Sequence, residues 1–437
     1  MHALPRLLKF FLLAALAAMV TTAVRAIDYP AGPDDYRTLL ARLQAGDRLL
    51  LRPGNYERGL PLHHLAGAPG RPIVIEGRPG TRFLAPAGQN TLSLVDASHL
   101  VIRNLELDGR NLPVDGVKAE GHSRYAHFIT LENLHIHDYA ASQQNVGIST
   151  KCPAFGWIVR GNRIERVGTG MYFGDSDGSD PFVAGLIEGN RISDSIGYNL
   201  QIKHQKFRPA GMPEPDSSHV THIRNNFFAK DNAWPDRDAR PNVLVGHAPL
   251  TGPGSMDRVL VYGNLFWQNP SEALFQGEGH LALYNNVFIN TQGHGVHIQP
   301  HNDVPREMDI FHNTVLARGH GIRVLRRADE EWTWQQRVMR NLVFAGKPLS
   351  GGVLIDNLIG NYDAATRFLK HPYATELEQL DVTPRMFLPG NGDRELAGLA
   401  SLPDIMKGID GHPRRSPTPG ACAADTESPC PRLAHVP

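Results

Sequence analysis

Short segments in which hydrophobic and polar residues alternate recur through most of the chain, each just after an asparagine. The recurring asparagines are Asn104, Asn133, Asn162, Asn190, Asn226, Asn264, Asn286, Asn313 and Asn341. Their spacing, 22 to 38 residues, is typical of a solenoid whose repeats bury their apolar faces on one another. Short segments rich in Val, Ile and Phe favour strands over helices. We therefore predict an all-β parallel β-helix in which the asparagines stack at one turn and satisfy its backbone groups.

The first 26 residues differ from this repeating middle. Arg6 and Lys9 are followed by an apolar stretch and by a small-x-small site that ends at Ala26. This combination predicts a secretory signal peptide, and hence a periplasmic or secreted protein. No later apolar run has the length needed to span a bilayer.

The remaining chain divides into three parts. We expect an N-terminal cap and the first coils over residues 27–96, with a short amphipathic helix between Asp34 and Leu43 that covers the open end of the solenoid. Regular coils should fill residues 97–360. Residues 361–437, where the periodicity fades, are expected to be a coil remnant and a flexible tail.

Charge and cysteine content narrow the classes of partner and of chemistry. Lys plus Arg and Asp plus Glu number 44 each, so no strongly basic field is available for nucleic acid. In an exported protein, Cys422 and Cys430 in the Pro-rich tail are expected to form a disulfide. Cys152 is interpreted as a structural residue, because no environment that stabilises a thiolate is visible around it. We expect a monomer.

Alignment of the second strand of each coil by its apolar pattern predicts an outward surface. Inward positions are Val117/Ala119, Ile148/Thr150, Met171/Phe173, Leu200/Ile202, Val243/Val245, Val296/Ile298 and Ile322/Val324. The outward neighbours, and residues just past the strands, include Lys118, Glu120, Ser149, Lys151, Tyr172, Asp175, Gln201, Lys203, His204, Leu244, His247, Gln276, Glu278, His297, Gln299, His301 and Arg323. An ordinary solvated face lacks this excess of His, Tyr and Gln, so we predict a groove. Insertions at 207–218, 234–241 and 248–255 should form walls beside Lys203 and His247.

Two terminal signatures resemble a known group of enzymes. The opening GDRLLLRPGNYERG and GRPIVIEG and the closing DGHPRR and PGA resemble secreted right-handed β-helix carbohydrate-active enzymes, above all the chondroitinase B and alginate lyase family. The resemblance implies a right-handed, pectate-lyase-like β-helix. It also implies an acidic polysaccharide as the partner.

The resemblance extends to part of the family's site. Lys203 falls on the family's general base and His247 on the His that follows its catalytic Arg, whereas the Arg itself falls on Gly246. The two acidic calcium ligands of the family fall on Tyr198 and Ile196, which cannot hold Ca²⁺. The family's calcium site is therefore absent, and we expect no cofactor.

The reaction that the resemblance implies is β-elimination at a uronic acid. A base removes the proton on C5, and an acid protonates the oxygen that leaves C4. Lys203 is the candidate base, and His247, His297 and Tyr172 are candidate acids. Candidates for binding the carboxylate or other sugar groups are Asp175, Gln201, His204, Gln276, Glu278, Gln299, His301 and Arg323.

Several alternatives stay open. Asp175, Asp177 and Asp180 suggest either a Ca²⁺ loop or the paired carboxylates of a glycoside hydrolase. A zinc site at His294 and His297 is disfavoured, because strand residues at this spacing should point to opposite faces. A C5-epimerase, which shares the first half of elimination, and a non-catalytic glycan-binding β-helix are the further possibilities.

Overall fold

The computed structural model describes residues 26–230, 239–326, 334–386, 398–414, 418–423 and 429–431. Apart from Ala26, the predicted signal peptide lies outside these ranges, as does most of the predicted insertion at 234–241. No helix in the described ranges is long and apolar enough to cross a membrane.

Each regular coil contains three strands, and the strands of successive coils pair in parallel. We name the resulting stacks the first, second and third ladders, in chain order within a coil. The chain thus forms a right-handed parallel β-helix, as predicted. The strand that carries the predicted outward surface is the third of each coil, not the second. The segment before each Asn turn is a strand as well, in places of only three residues such as Ile158–Arg160.

The first ladder precedes the Asn turn. Its strands are Asp28–Ala31, Arg48–Leu51, Ile73–Gly77, Ala97–Arg103, Ala126–Glu132, Ile158–Arg160, Leu186–Glu188, Val220–Arg224, Arg258–Tyr262, Gly279–Tyr284, Pro305–Phe311, Gln336–Met339 and Val353–Ile355. Two short strands, Ala154–Phe155 and Phe182–Val183, pair beside it.

The second and third ladders follow the turn. Second-ladder strands are Gly54–Tyr56, Thr81–Leu84, Glu106–Asp108, His135–Tyr139, Arg163–Val167, Arg191–Ser195, Phe227–Ala229, Leu265–Trp267, Val287–Asn290, Thr314–Val324, Leu342–Ser350 and Leu358–Gly360. Third-ladder strands are Leu60–His63, Leu92–Val95, Val117–Glu120, Val146–Lys151, Thr169–Phe173, Leu200–Ile202, Val243–Val245, Ala273–Gly277 and His294–Ile298. The long strands Thr314–Val324 and Leu342–Ser350 continue from the second ladder into the third.

A helix caps the N-terminal end, as predicted, although it is shorter than the sequence suggested. It spans Tyr36–Leu40 and buries both of its terminal residues. The Tyr36 hydroxyl donates a hydrogen bond to the Gly59 carbonyl at 2.5 Å, and its ring packs edge-on against Tyr56 with centroids 5.2 Å apart. These contacts cover the open apolar end of the solenoid, which would otherwise face water.

The stacked asparagines are confirmed from Asn162 to Asn341. At Asn264, for example, the side-chain oxygen accepts hydrogen bonds from the backbone N–H and the side-chain amide of Asn226, at 2.9 and 3.0 Å. The ladder also continues one coil further than predicted, since Asn357 accepts the backbone N–H of Asn341 at 3.0 Å.

The prediction is wrong for the first two asparagines of the series. Asn104 and Asn133 have φ angles of 58° and 52° and lie one residue earlier, at the left-handed position of the turn. Leu105 and Leu134 take the stacked position in those coils, where Leu134 donates its N–H to the Asn162 side chain at 2.9 Å. Asn is tolerated in the left-handed region as well as in side-chain ladders, so the sequence alone does not separate the two roles.

The described part of the C-terminal segment includes the 3₁₀ helices Tyr362–Arg367 and Leu377–Gln379 and a pair of antiparallel strands, Leu369–His371 and Asp381–Pro384. Leu369 and Val382 pack against outward apolar residues of the second ladder, such as Phe344. The predicted disulfide between Cys422 and Cys430 is present in this layer. The segment thus covers the outer faces of the first and second ladders in the C-terminal coils.

Candidate functional site

The register of the third ladder confirms the predicted alternation of inward and outward residues. Inward residues such as Ile148, Leu200 and Val243 are fully buried. Between them runs an outward row, which we call the inner row: Lys118, Ser149, Tyr172, Gln201, Leu244, Gln276, His297 and Arg323. Gln276, which the sequence placed beyond its strand, lies within the strand and in this row.

A second row follows two residues later in each coil. We call it the outer row, and it contains Glu120, Lys151, Gly174, Lys203, Gly246, Glu278 and Gln299. Asp175, His204 and His247 come directly after this row. The outward surface of the third ladder therefore has a polar residue in nearly every coil.

Lys203 is half-buried and lies between two glycines of the outer row. A Cβ at Gly174 would lie 3.1 Å from the Lys203 Cβ, and a Cβ at Gly246 would lie 2.4 Å from the backbone nitrogen of His204. Backbone therefore occupies the place that any side chain at position 246 would need. No arginine fits there, so this chain must neutralise a substrate carboxylate with other residues.

The environment of Lys203 favours its neutral form. Burial, and next the nearby positive charge of Lys151, lower its pKa below the ordinary value of 10.5, while Glu278 and Asp175 act in the opposite direction. Among the described residues, no carboxylate makes an ion-pair contact with its ammonium group. A lysine in such surroundings can act as a base nearer to neutral pH than a solvated one.

Lys151 is not among the site residues predicted from the sequence, yet it contacts two of them. Its ammonium lies 3.5 Å from an Asp175 carboxylate oxygen and 3.9 Å from the centre of the Tyr172 ring. Burial lowers the pKa of Lys151 as well, and burial raises that of Tyr172 to about 12. Its place in the same row as Lys203, two coils away, was the signal that could have identified it.

Two histidines lie beside Lys203. The rings of His204 and His247 are 5.3 Å apart, and the His247 Nδ1 lies 2.7 Å from the Ala248 carbonyl oxygen. Nδ1 therefore donates, which leaves Nε2 as the free position of the ring. Burial, and next the charge of Lys203, lower the pKa of His204 to about 4, so this side chain is neutral at neutral pH.

Glu278 is only 1% exposed. One of its carboxylate oxygens accepts the backbone N–H groups of His301, Asn302 and Asp303 at 2.8 to 3.0 Å. The other oxygen is buried, with no hydrogen-bond partner among the described residues. Glu278 thus holds the loop that carries His301 and presents one unused acceptor.

Three histidines meet further along the groove. The ring centres of His294 and His297 are 4.9 Å apart, and that of His320 is 5.3 Å from His294. The prediction that His294 and His297 point to opposite faces is therefore wrong. His294 is the first residue of its strand, beside a turn held by Asn290, so the alternation of a regular strand does not yet apply. Burial lowers the pKa of His297 to about 3, which leaves this ring uncharged at neutral pH.

The predicted site residues are distributed along the third ladder, in which adjacent coils lie about 4.8 Å apart. Tyr172, Asp175, Gln201, His204 and His247 lie within about one coil of Lys203. Gln276, Glu278, His297, Gln299, His301 and Arg323 lie two to four coils further along. Arg323, four coils from Gln201 and thus about 19 Å away, does not reach a sugar ring that contacts Lys203.

The long insertions form a wall beside Lys203, and hydrogen bonds and an ion pair hold this wall together. The buried guanidinium of Arg208 pairs with Asp257 and donates to the Pro215 carbonyl at 3.1 Å. Gln205 donates its backbone N–H to the His247 carbonyl at 2.9 Å. The described parts of the insertions at 207–218 and 248–255 therefore hold each other beside Lys203 and His247, as predicted.

The sequence matches no family model and no curated protein. Solved structures with a similar fold include an alginate lyase of polysaccharide lyase family 6, at 14% identity and a TM-score of 0.51, which covers 76% of this chain and 51% of that chain. Another is a lacto-N-biosidase of glycoside hydrolase family 136 from Eubacterium ramulus, at 14% identity and a TM-score of 0.50, covering 77% of this chain and 68% of that chain. The chain spans about half the length of the alginate lyase. At these identities the likeness shows the fold alone, and that fold serves lyases and hydrolases alike.

Proposed function

We propose that the protein is an exported lyase that cleaves an acidic, uronate-containing polysaccharide by β-elimination in the third-ladder groove. The observation that carries this proposal is Lys203, a half-buried lysine with a lowered pKa that lies between two glycines on the groove floor. Neither glycine carries a side chain, so neither position covers the amine. An ordinary solvated lysine would have neither feature.

Lys203 acts as the base. Its neutral amine takes the C5 proton of the uronate, the electron pair forms the double bond between C4 and C5, and the bond between C4 and the glycosidic oxygen breaks. Tyr172 lies in the adjacent coil, with its Cα about 8 Å from that of Lys203 if strands rise about 3.3 Å per residue and coils stack about 4.8 Å apart. Its phenol is protonated at neutral pH and can supply the proton to the leaving oxygen.

Lys151 and Gln201 are suited to bind the carboxylate. Elimination requires this charge to be neutralised, because the C5 proton is otherwise only weakly acidic. The Lys151 ammonium lies beside Tyr172, and the Gln201 side chain lies in the inner row next to it. Lys151 thus takes over the task for which Gly246 leaves no side chain, and its charge also helps to lower the pKa of Lys203.

A second candidate, glycoside hydrolysis, rests on a different pair of groups. Burial raises the pKa of Asp180, so this carboxyl is suited to be an acid, and Asp175 is paired with Lys151. In this alternative Asp180 protonates the leaving oxygen and Asp175 activates a water or attacks the sugar. The same loop carries the proposed but weaker Ca²⁺ site at Asp175, Asp177 and Asp180.

The test measures the ultraviolet absorbance of the unsaturated uronate product, and separately the release of reducing ends, on a panel of uronic-acid polysaccharides. The wild-type protein is compared with Lys203→Ala, Tyr172→Phe, Asp180→Asn and a control, Lys347→Ala, whose side chain is exposed. For a lyase, absorbance rises with wild type and the control, and falls at least about 100-fold with Lys203→Ala. The rate should increase with pH, because the base must be deprotonated.

Other outcomes point elsewhere. Reducing ends without absorbance, lost in Asp180→Asn but not in Lys203→Ala, indicate a hydrolase. Exchange of the C5 hydrogen with solvent, without chain cleavage, indicates an epimerase. Binding of a glycan without any of these products indicates a non-catalytic β-helix, and each of these three results contradicts the lyase.

A further inference from the structure

A second cluster of histidines and carboxylates lies away from the groove, on the outward face of the second ladder. It is built on three consecutive strands, Glu106–Asp108, His135–Tyr139 and Arg163–Val167. Parallel register places Glu106 beside His135 and Asp108 beside His137, while Glu165 follows His137 in the next coil. His135 and His137 are two residues apart on one strand, so both side chains point to the same face.

The geometry of three of these side chains is that of metal ligands. One carboxylate oxygen of Glu106 and one ring nitrogen each of His135 and His137 all lie within 4.8 Å of one another. The two ring centres are 4.5 Å apart. A tetrahedral Zn²⁺ with bonds of about 2.0–2.2 Å needs its ligand atoms roughly 3.4 Å apart, so small side-chain rotations are enough.

A further carboxylate orients His137. The Nδ1 of this ring lies 2.7 Å from an Asp138 carboxylate oxygen, while its Nε2 lies 3.1 Å from Glu106. With the Nδ1 proton donated to Asp138, Nε2 presents a lone pair to another acceptor, and a cation between the two satisfies both. Carboxylate contacts of this kind fix the tautomer of metal-binding histidines.

The charge balance of the patch favours a cation. Its members make ion pairs with one another: Arg82 with Glu106 and Asp108, Arg163 with Glu165, and Arg166 with Asp138 and Glu165. The cluster thus contains four carboxylates and three guanidinium groups, beside a His137 ring that is 5% exposed.

Access to the cluster is open on one side. A shallow cleft lined by Gly80, Thr81 and Asn133 reaches Glu106 and His135. It offers an entry path for an ion. His137 and its carboxylate neighbours close the other side of the cluster.

We propose that Glu106, His135 and His137 bind a divalent transition metal of the Zn²⁺ class on the second ladder. Two imidazoles and one carboxylate are the donor set that suits such ions. The ion joins adjacent coils and stabilises the N-terminal half of the solenoid. The site is independent of Lys203 chemistry, and it departs from the expectation, drawn from the sequence, that no metal is bound.

The experiment uses untagged protein freed of metal by a chelator. Zn²⁺ binding is measured by titration calorimetry, and the melting temperature is measured with and without Zn²⁺. The variants are Glu106→Gln, His135→Ala and Asp138→Asn. The control is His63→Ala, since His63 is exposed and lies with its contact Ser93 on the third ladder, away from the cluster. Circular dichroism checks that each variant is folded.

We expect one Zn²⁺ per chain and a higher melting temperature with Zn²⁺ for wild type and the control. Glu106→Gln and His135→Ala should abolish both effects, and Asp138→Asn should weaken binding about 10- to 100-fold. Absence of heat and of any change in melting temperature with Zn²⁺, Ni²⁺ and Mn²⁺ would overturn the proposal. Binding to folded Glu106→Gln with wild-type affinity would overturn it too. If His135→Ala fails to fold, the near-isosteric Glu106→Gln decides.

Discussion

Replacement of Asn264 by alanine tests how far the stacked asparagines stabilise the solenoid. The Asn264 side chain is fully buried. Its amide donates to the Ile223 carbonyl at 2.9 Å, and its oxygen accepts the backbone N–H of Asn226. In Asn264→Ala this N–H loses its acceptor inside the protein. An orphaned buried donor costs about 1–3 kcal/mol, and the lost bond to Ile223 about 1 kcal/mol more, so we expect roughly 2–4 kcal/mol.

Urea unfolding followed by circular dichroism measures this loss. With a slope of about 3 kcal/mol per molar urea, the midpoint should fall by roughly 1 M. The control is Asn55→Ala, an exposed asparagine in the strand Gly54–Tyr56, which should change stability by less than about 0.5 kcal/mol. An unchanged midpoint in Asn264→Ala, with an unchanged slope, would falsify the account of the ladder. An equal loss in both variants would show that the effect is not specific to burial.

Two further predictions concern the core and the pH dependence of stability. Ile202 is 2% exposed and is paired between Phe173 and Val245, so it should not tolerate a buried unpaired charge. Ile202→Asp should therefore melt at a temperature far below those of wild type and Ile202→Val. A wild-type melting curve for Ile202→Asp would contradict the inward assignment. Burial lowers the pKa of His280 from 6.5 to about 4. As pH falls from about 6.5 to 4, this histidine is therefore protonated in the unfolded chain but not in the folded protein. Stability should thus be unaffected by this group above about pH 6.5 and should decline by roughly 3 kcal/mol towards pH 4. His280→Phe should show a shallower decline in urea midpoints, and an identical pH dependence in both proteins would refute the assignment.

Most of the fold can be predicted from the sequence, because each repeat of a solenoid packs only on its neighbours and shows a similar local pattern. The interval between asparagines, the alternation at positions such as Leu200, Gln201 and Ile202, and the short helix before the first coil are local patterns. Each reports the burial of a single side chain. These patterns were sufficient to place Lys203 in an outward row of a groove.

The tertiary structure decided whatever depends on which coil lies next to which. Asn104 and Asn264 look alike in sequence, yet only the register shows that one holds a left-handed turn and the other a buried ladder.

The same holds for the candidate site. Lys151 and Lys203 are 52 positions apart in the sequence. Stacking places them two coils apart in one row, where the charge of Lys151 lowers the pKa of Lys203.

The sequence alone thus determined the period, the faces and the chemistry available on them. The pairing of successive coils decided which side chains are buried together, which charges lie close to one another and which residues could bind the same ligand. Such contacts are made across the stacking direction, and their register is set by the sum of all neighbouring coils rather than by any local segment.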